Sequence, residues 1–173
     1  MKKRPIKVLL IQSRICVGGP AIHTELLSMF LPRNKYEVVL IGGSLEKGEL
    51  STFEKIKQNG VDIRIVKEMK RDPGLTSDLK AIYKMHRIIR EVKPDIVDTH
   101  TAKAGAVGRI AALCAGVPVI VHTFHGHAFD KYFSRLKTRF FIFVEKKLHW
   151  ARKSVIFFNG SPGNRPARRW RPV

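Results

Sequence analysis

The sequence predicts an α/β domain built on a doubly wound, mostly parallel Rossmann-like sheet. Strand-sized apolar runs alternate with helix-length amphipathic stretches all the way from Ile6 to Phe158. Every strand is followed by a stretch long enough to serve as the helical crossover that parallel neighbours require. The first strand hands over to the first helix through a turn carrying Gly18 and Gly19, the usual layout of a ligand-binding α/β edge.

Taken in order, "IKVLLIQ" after Pro5 is an apolar strand, "SRICVGGP" a loop, and "AIHTELLSMFL" a helix. "YEVVLIGG" and "VDIRIV" are further strands, with "LSTFEKIKQNG" between them as a helix ended by Gly60. "SDLKAIYKMHRIIREVKP" places Leu79, Ile82, Met85, Ile88, Ile89 and Val92 at helical spacing, with Ser77 as its expected cap and Pro94 as its stop. The strand "DIVDT", the small-residue helix "KAGAVGRIAALCAG" closing on Gly116, and the strand "PVIVHT" follow. A long basic helix, "YFSRLKTRFFIFVEKKLHWARK", then leads to a last strand, "SVIFF". Residues 1–158 form the expected domain. Residues 159–173, "NGSPGNRPARRWRPV", hold three prolines and four arginines without a lysine and read as an irregular basic tail, foreign in texture to the rest.

A chain of 173 residues with 44% hydrophobic content can bury one ordinary core. Cys16 and Cys114 cannot make a disulfide framework or a cysteine metal site, and both are expected to be buried or half-buried. The basic N-terminus lacks the long apolar region of a secretion signal, so a cytoplasmic protein is expected. The net charge of +19 attracts polyanions, and from Lys131 onward 12 basic residues face a single acid, Glu145.

Ligands of an open parallel sheet sit beyond the carboxyl ends of its strands. Three loops qualify: "SRICVGGP", the start of "HTAK", and "FHGHAF". His100, His125 and His127 are thus expected to leave one edge, whereas His122, still inside its strand, is expected to be a core or hydrogen-bonded residue. Gly18 and Gly19 ahead of Pro20 make either a tight turn or a helix start whose bare amides meet an anion. Lys103, at the mouth of the next such helix, would meet a phosphate or stay solvated, while Gly105 and Gly108 allow close helix packing. No GxGxxG fingerprint or GxxxxGK[ST] loop occurs, which argues against dinucleotide and P-loop chemistry. Three imidazoles within six residues suit hydrogen bonding or proton transfer to a polar substrate better than a metal, since nearby carboxylates are limited to Asp98 and Asp130.

"GGPAIH", "DIVDTHTAKAGAVGRIAA" and "VHTFHGHAF", in this order on alternating strands and helices, resemble the N-terminal domain of bacterial family 4 glycosyltransferases, retaining enzymes of the GT-B fold. The resemblance covers about residues 6–158. It implies transfer of a sugar from a nucleotide sugar, the donor substrate rather than a cofactor, to a lipid-linked or saccharide acceptor in surface polysaccharide assembly. On its motifs, Gly18 and Gly19 match the family's glycine loop near the donor diphosphate, His23 matches the substrate-binding histidine beyond that loop, and His125 matches the histidine that contacts the transferred sugar, the expected catalytic residue. Lys103 and Arg109 match the "AKAGxxGR" segment, where an acceptor phosphate is expected, and His100 and His127 complete the substrate-binding set. Asp98 departs from the pattern, which often has histidine there. The family's second, donor-binding domain would follow near residue 160, so the sequence is expected to be a truncated or frame-shifted acceptor half, inactive alone, or half of a split enzyme with a separate donor-domain polypeptide. The alternative class is a basic module without catalysis. It would bind an anionic membrane on the inner face of the cell membrane, through the helix with eight basic residues between Lys131 and Lys153, or bind nucleic acid without sequence recognition.

Overall fold

The structure is a computed structural model that describes residues 4–45, 48, 50–69, 74–125 and 155–158. Its elements run β1 (Ile6–Gln12), α1 (Gly19–Phe30), β2 (Tyr36–Gly43), α2 (Phe53–Gln58), β3 (Asp62–Val66), α3 (Leu75–Val92), β4 (Ile96–His100), α4 (Ala102–Cys114), β5 (Val119–His125) and β6 (Val155–Phe158). The strands form one parallel sheet in the order β3-β2-β1-β4-β5-β6, the doubly wound order that the alternation predicts. The expected helix over residues 132–153 and the tail from residue 159 lie outside the described residues.

Strand side chains alternate between faces, and the core divides accordingly. Leu9, Ile11, Val39, Ile41, Val97 and Ile120 pack on one side against Ala81, Met85 and Ile89 of α3 and Ala104, Val107 and Ala111 of α4. Val8, Leu10 and Leu40 face the other way, toward Ile15, Ile56 and Leu27, on the side of α1 and α2. α1 is unusual in burying Thr24, Glu25 and Ser28 while exposing Ile22, Leu26 and Phe30. Those polar groups are satisfied locally: Thr24 Oγ1 donates to Ala21 O (3.0 Å), Ser28 Oγ donates to Glu25 O (2.7 Å), and the Glu25 carboxylate takes Lys55.

Several details differ from the sequence expectation. α3 begins three residues earlier, with Gly74 rather than Ser77 at its cap position; Ser77 lies inside the first turn and donates to Gly74 O (2.9 Å), while Asp78 Oδ2 accepts from Gly74 N (3.3 Å). α2 is a short helix of six residues, because Ser51 and Thr52 are spent on a bridge to Cys16 and on the turn into the helix. Cys16 is half-buried as expected, but Cys114 is exposed at the last turn of α4. β4 and β5 each run on to a histidine, so His100 and His125 are the last residues of their strands rather than the first of their loops.

The seam between β1 and β4 is tied at both ends. At its start, Asp95 accepts from Arg4 Nη2 (2.7 Å) and Lys7 N (2.8 Å). At its end, the hydroxyls of Ser13 and Thr101 share a hydrogen bond, and Ser13 Oγ also accepts from Ala104 N (3.3 Å).

Candidate functional site

The chain order of the sheet reverses between β1 and β4, where Gln12 pairs in register with His100. Connections leave in opposite directions there and open a crevice beyond the strand ends. Alternation then decides which side chains share it. Gln12 follows Leu10, and His100 follows Ile96 and Asp98, on the α1 side of the sheet. His100 lies beside Thr123 in register, which brings Thr123 and His125 to the same side. His23 reaches in from the first turns of α1.

Three imidazoles therefore meet. The His23 ring centroid lies 5.6 Å from that of His100 and 5.3 Å from that of His125, and the last two are 5.2 Å apart. His100 Nδ1 and His125 Nε2 share a hydrogen bond of 2.9 Å. On its far side, His100 Nε2 stands 3.3 Å from Asp98 Oδ2, a polar contact whose alignment falls short of a hydrogen bond, while Asp98 Oδ1 accepts from Thr123 Oγ1 (3.4 Å). Burial, then the neighbouring His100 and His23, push the His125 pKa down to about 4. Burial followed by His100 also lowers that of His23. Both are neutral at pH 7 and offer one donor and one acceptor each. Among the described residues, no group of three or more His, Cys, Asp or Glu side chains is arranged to hold a metal ion.

The start of α1 borders the cluster and is open. No side chain caps it, and a Cβ placed on Gly18 or Gly19 would meet nothing within 4 Å. Packing does not demand either glycine, and the helix start is left clear for a ligand's approach.

The start of α4 is different. Thr101, its cap residue, adopts φ 72° and ψ 157°, a conformation that β-branched residues rarely accept. Ser13 takes up the Ala104 amide there. Lys103 is neither solvated nor turned to a phosphate: it is 8% exposed, and its ammonium is paired with Asp78 of α3. Arg109 is likewise buried, its Nε donating to Gly105 O (2.8 Å). One turn separates residues 105 and 109 on a helix, so Arg109 lies on the sheet-facing side of α4, across the sheet from the three histidines. Lys103 and Arg109, expected to meet an acceptor phosphate, are here engaged in these internal contacts.

His122 shares that opposite face. It is fully buried, its Nδ1 donates to Thr99 O (2.9 Å), and burial with the nearby Arg109 charge holds its pKa well below the ordinary value. The four-histidine segment is thus divided by strand parity, with His100 and His125 in the crevice and His122 in the core. His127 lies outside the described residues. Sequence reasoning passed over Gln12 and gave Asp98 no role. Gln12 is an amide directly after the apolar run of β1 at residues 8–11, and its buried Oε1 has no hydrogen-bond partner among the described residues. Asp98 stands two residues before His100, hence on the same face.

Over 100 residues the chain is 37% identical to the UDP-Gal:alpha-D-GlcNAc-diphosphoundecaprenol alpha-1,3-galactosyltransferase of Escherichia coli, a match that takes in 58% of this chain and 24% of that protein. It is 41% identical over 76 residues to the capsular polysaccharide biosynthesis glycosyltransferase CapM of Staphylococcus aureus, covering 44% of this chain and 20% of the relative. The chain thus aligns with a quarter or less of each relative's length. Among solved structures, MurG of Acinetobacter baumannii superimposes with a TM-score of 0.60 at 15% identity, over 92% of this chain and 44% of that one, a likeness of fold. The family model Glycosyltransferase Family 4 matches residues 17–158, from the loop before Gly18 to the end of β6, and the chain belongs to that family.

Proposed function

We propose that this domain takes part in moving a sugar from a nucleotide sugar to a lipid-linked glycan acceptor, and that the crevice between β1 and β4 is where the sugar is held. The observation that carries this reading is the cluster of His23, His100 and His125 beside the uncapped, unobstructed start of α1. An open helix N-terminus suits a diphosphate, and neutral imidazoles suit sugar hydroxyls. The printed activities of the E. coli and S. aureus relatives, one acting on a diphosphoundecaprenol-linked sugar and one in capsular polysaccharide biosynthesis, support the same chemistry. The test is titration calorimetry of the purified chain with a panel of nucleotide sugars. Saturable binding, weakened by Gly19→Val at unchanged melting temperature, is expected; no binding to any member of the panel overturns the reading.

A different observation supports a membrane-side location. Leu75, Leu79 and Tyr83 of α3 are 81%, 59% and 64% exposed at successive helical turns, beside the exposed Lys80 and Arg87. An apolar stripe flanked by cations matches the surface of an anionic bilayer. Among the described residues no helix is long and apolar enough to cross a membrane, so contact through α3 would be peripheral. Sedimentation with phosphatidylglycerol vesicles, reduced by salt and by Leu79→Ser, is expected; equal binding to phosphatidylcholine vesicles at every salt concentration contradicts it.

A further inference from the structure

The three-histidine cluster has a fourth member that the resemblance does not supply. Asp98, Thr123, His100 and His125 form a continuous polar chain across β4 and β5: Thr123 Oγ1 to Asp98 Oδ1 (3.4 Å), Asp98 Oδ2 to His100 Nε2 (3.3 Å), and His100 Nδ1 to His125 Nε2 (2.9 Å). We propose that Asp98 is a positioning residue that sets the protons of both histidines, so that His125 offers an acceptor nitrogen to a ligand hydroxyl and turns away anions.

His100 is fully buried, and its Nε2 faces a carboxylate oxygen. A nitrogen lone pair there would be repelled and an N–H attracted, even without ideal alignment, so a His100 carrying one ring proton holds it on Nε2. Its Nδ1 is then a lone pair. Two lone pairs cannot face each other at 2.9 Å, so His125 Nε2 carries a proton and donates. A neutral imidazole has one N–H, which leaves His125 Nδ1 as an acceptor. His125 keeps this neutral form at pH 7, since burial and its histidine neighbours hold it near 4. The other groups facing the pair are His23 from α1, Gln12 from β1 and Thr123 from β5. Thr123 directs one Asp98 oxygen, which leaves the other for His100.

This deepens the proposed sugar site and rests on that reading for its ligand class. The crevice then divides its work: a diphosphate meets the amides of the α1 start, and a sugar hydroxyl meets the acceptor nitrogen of His125.

Long-range proton–nitrogen NMR on the uniformly 15N-labelled full chain, without ligand at pH 7, reads the tautomers directly. His125 is expected to be protonated on Nε2 and bare on Nδ1, with His100 also protonated on Nε2. In Asp98→Ala, with its fold checked by circular dichroism, His125 is expected to become a mixture of tautomers. Inorganic phosphate is expected to leave the His125 Nδ1 resonance in place. A wild-type His125 protonated on Nδ1, an evenly mixed tautomer, an Asp98→Ala variant with unchanged tautomers, or phosphate protonating Nδ1 would each overturn the proposal. The wild-type measurement alone decides it if the variant does not fold. Because it needs no ligand, its failure is separate from a failure of nucleotide-sugar binding.

Discussion

The ring of His122 fills the space that Gly105 leaves open: a Cβ on Gly105 would lie 2.3 Å from His122 Cε1 and 2.8 Å from its Nδ1. Neither side can give way easily, because His122 is tied to Thr99 and Gly105 sits in the sheet-facing row of α4. Gly105→Ala should therefore destabilise the fold by about 1 to 3 kcal/mol, despite the gain of about 1 kcal/mol that alanine brings to a helix. Urea denaturation checks this, and a midpoint at or above the wild type would show that the ring moves freely.

His122 and His125, three residues apart on one strand, should part company under substitution. His122→Ala opens a gap in the core and strands the Thr99 carbonyl, at a cost of about 2 to 4 kcal/mol. His125→Ala should leave the melting temperature near that of the wild type while weakening nucleotide-sugar binding roughly 5- to 100-fold, the worth of one buried hydrogen bond of about 1 to 3 kcal/mol. Calorimetry and thermal melts on both variants separate the two roles.

Acid should weaken the protein before its carboxylates titrate. The folded pKa values of His125, about 4, and of His122 and His23 all lie below the unfolded value of 6.5. The unfolded chain then binds more protons, so the stability these groups lend is full above about pH 6.5 and is lost as pH falls toward 4. Urea midpoints are expected to drop between pH 7 and pH 5. In His125→Gln the slope over that window should be shallower, and an unchanged slope would mean that His125 titrates normally.

Lys103→Met should lower stability by about 1 to 3 kcal/mol, because it leaves the partly buried Asp78 carboxylate facing an apolar chain. Nucleotide-sugar affinity should stay within twofold of the wild type, as the ammonium is engaged with α3. A large loss of affinity at constant stability would return Lys103 to the ligand site.

Fold and site were not equally legible in the sequence. β1 and β2, Ile6–Gln12 and Tyr36–Gly43, coincide with the stretches "IKVLLIQ" and "YEVVLIGG" because each is centred on a run, residues 8–11 or 38–41, apolar on both faces as a buried parallel strand needs. The histidine edge could also be foreseen, because alternation and crossover place strand ends together. Partners distant in the chain could not. Nothing local to Lys103 shows that Asp78, 25 residues earlier, will neutralise it. The facing of Arg109 depends on where α4 rests against β4 and β5. Asp98 acquires its place only through the register that sets Thr123 beside His100.

The position of β1 in the middle of the sheet has a consequence for how the chain is made. Of its two neighbours, β2 follows within a few dozen residues, but β4 arrives only after α2, β3 and α3 have been synthesised. Until then one edge of β1 offers unpaired amides and carbonyls, flanked by the apolar row of Leu9 and Ile11. Closing so long a loop costs entropy before any contact repays it, so the β1–β4 seam is expected to form after the β1–β2 pair. The ties at its two ends, Arg4 with Asp95 and Ser13 with Thr101, form only when that step completes, so a nascent chain halted before residue 96 holds an aggregation-prone half-sheet.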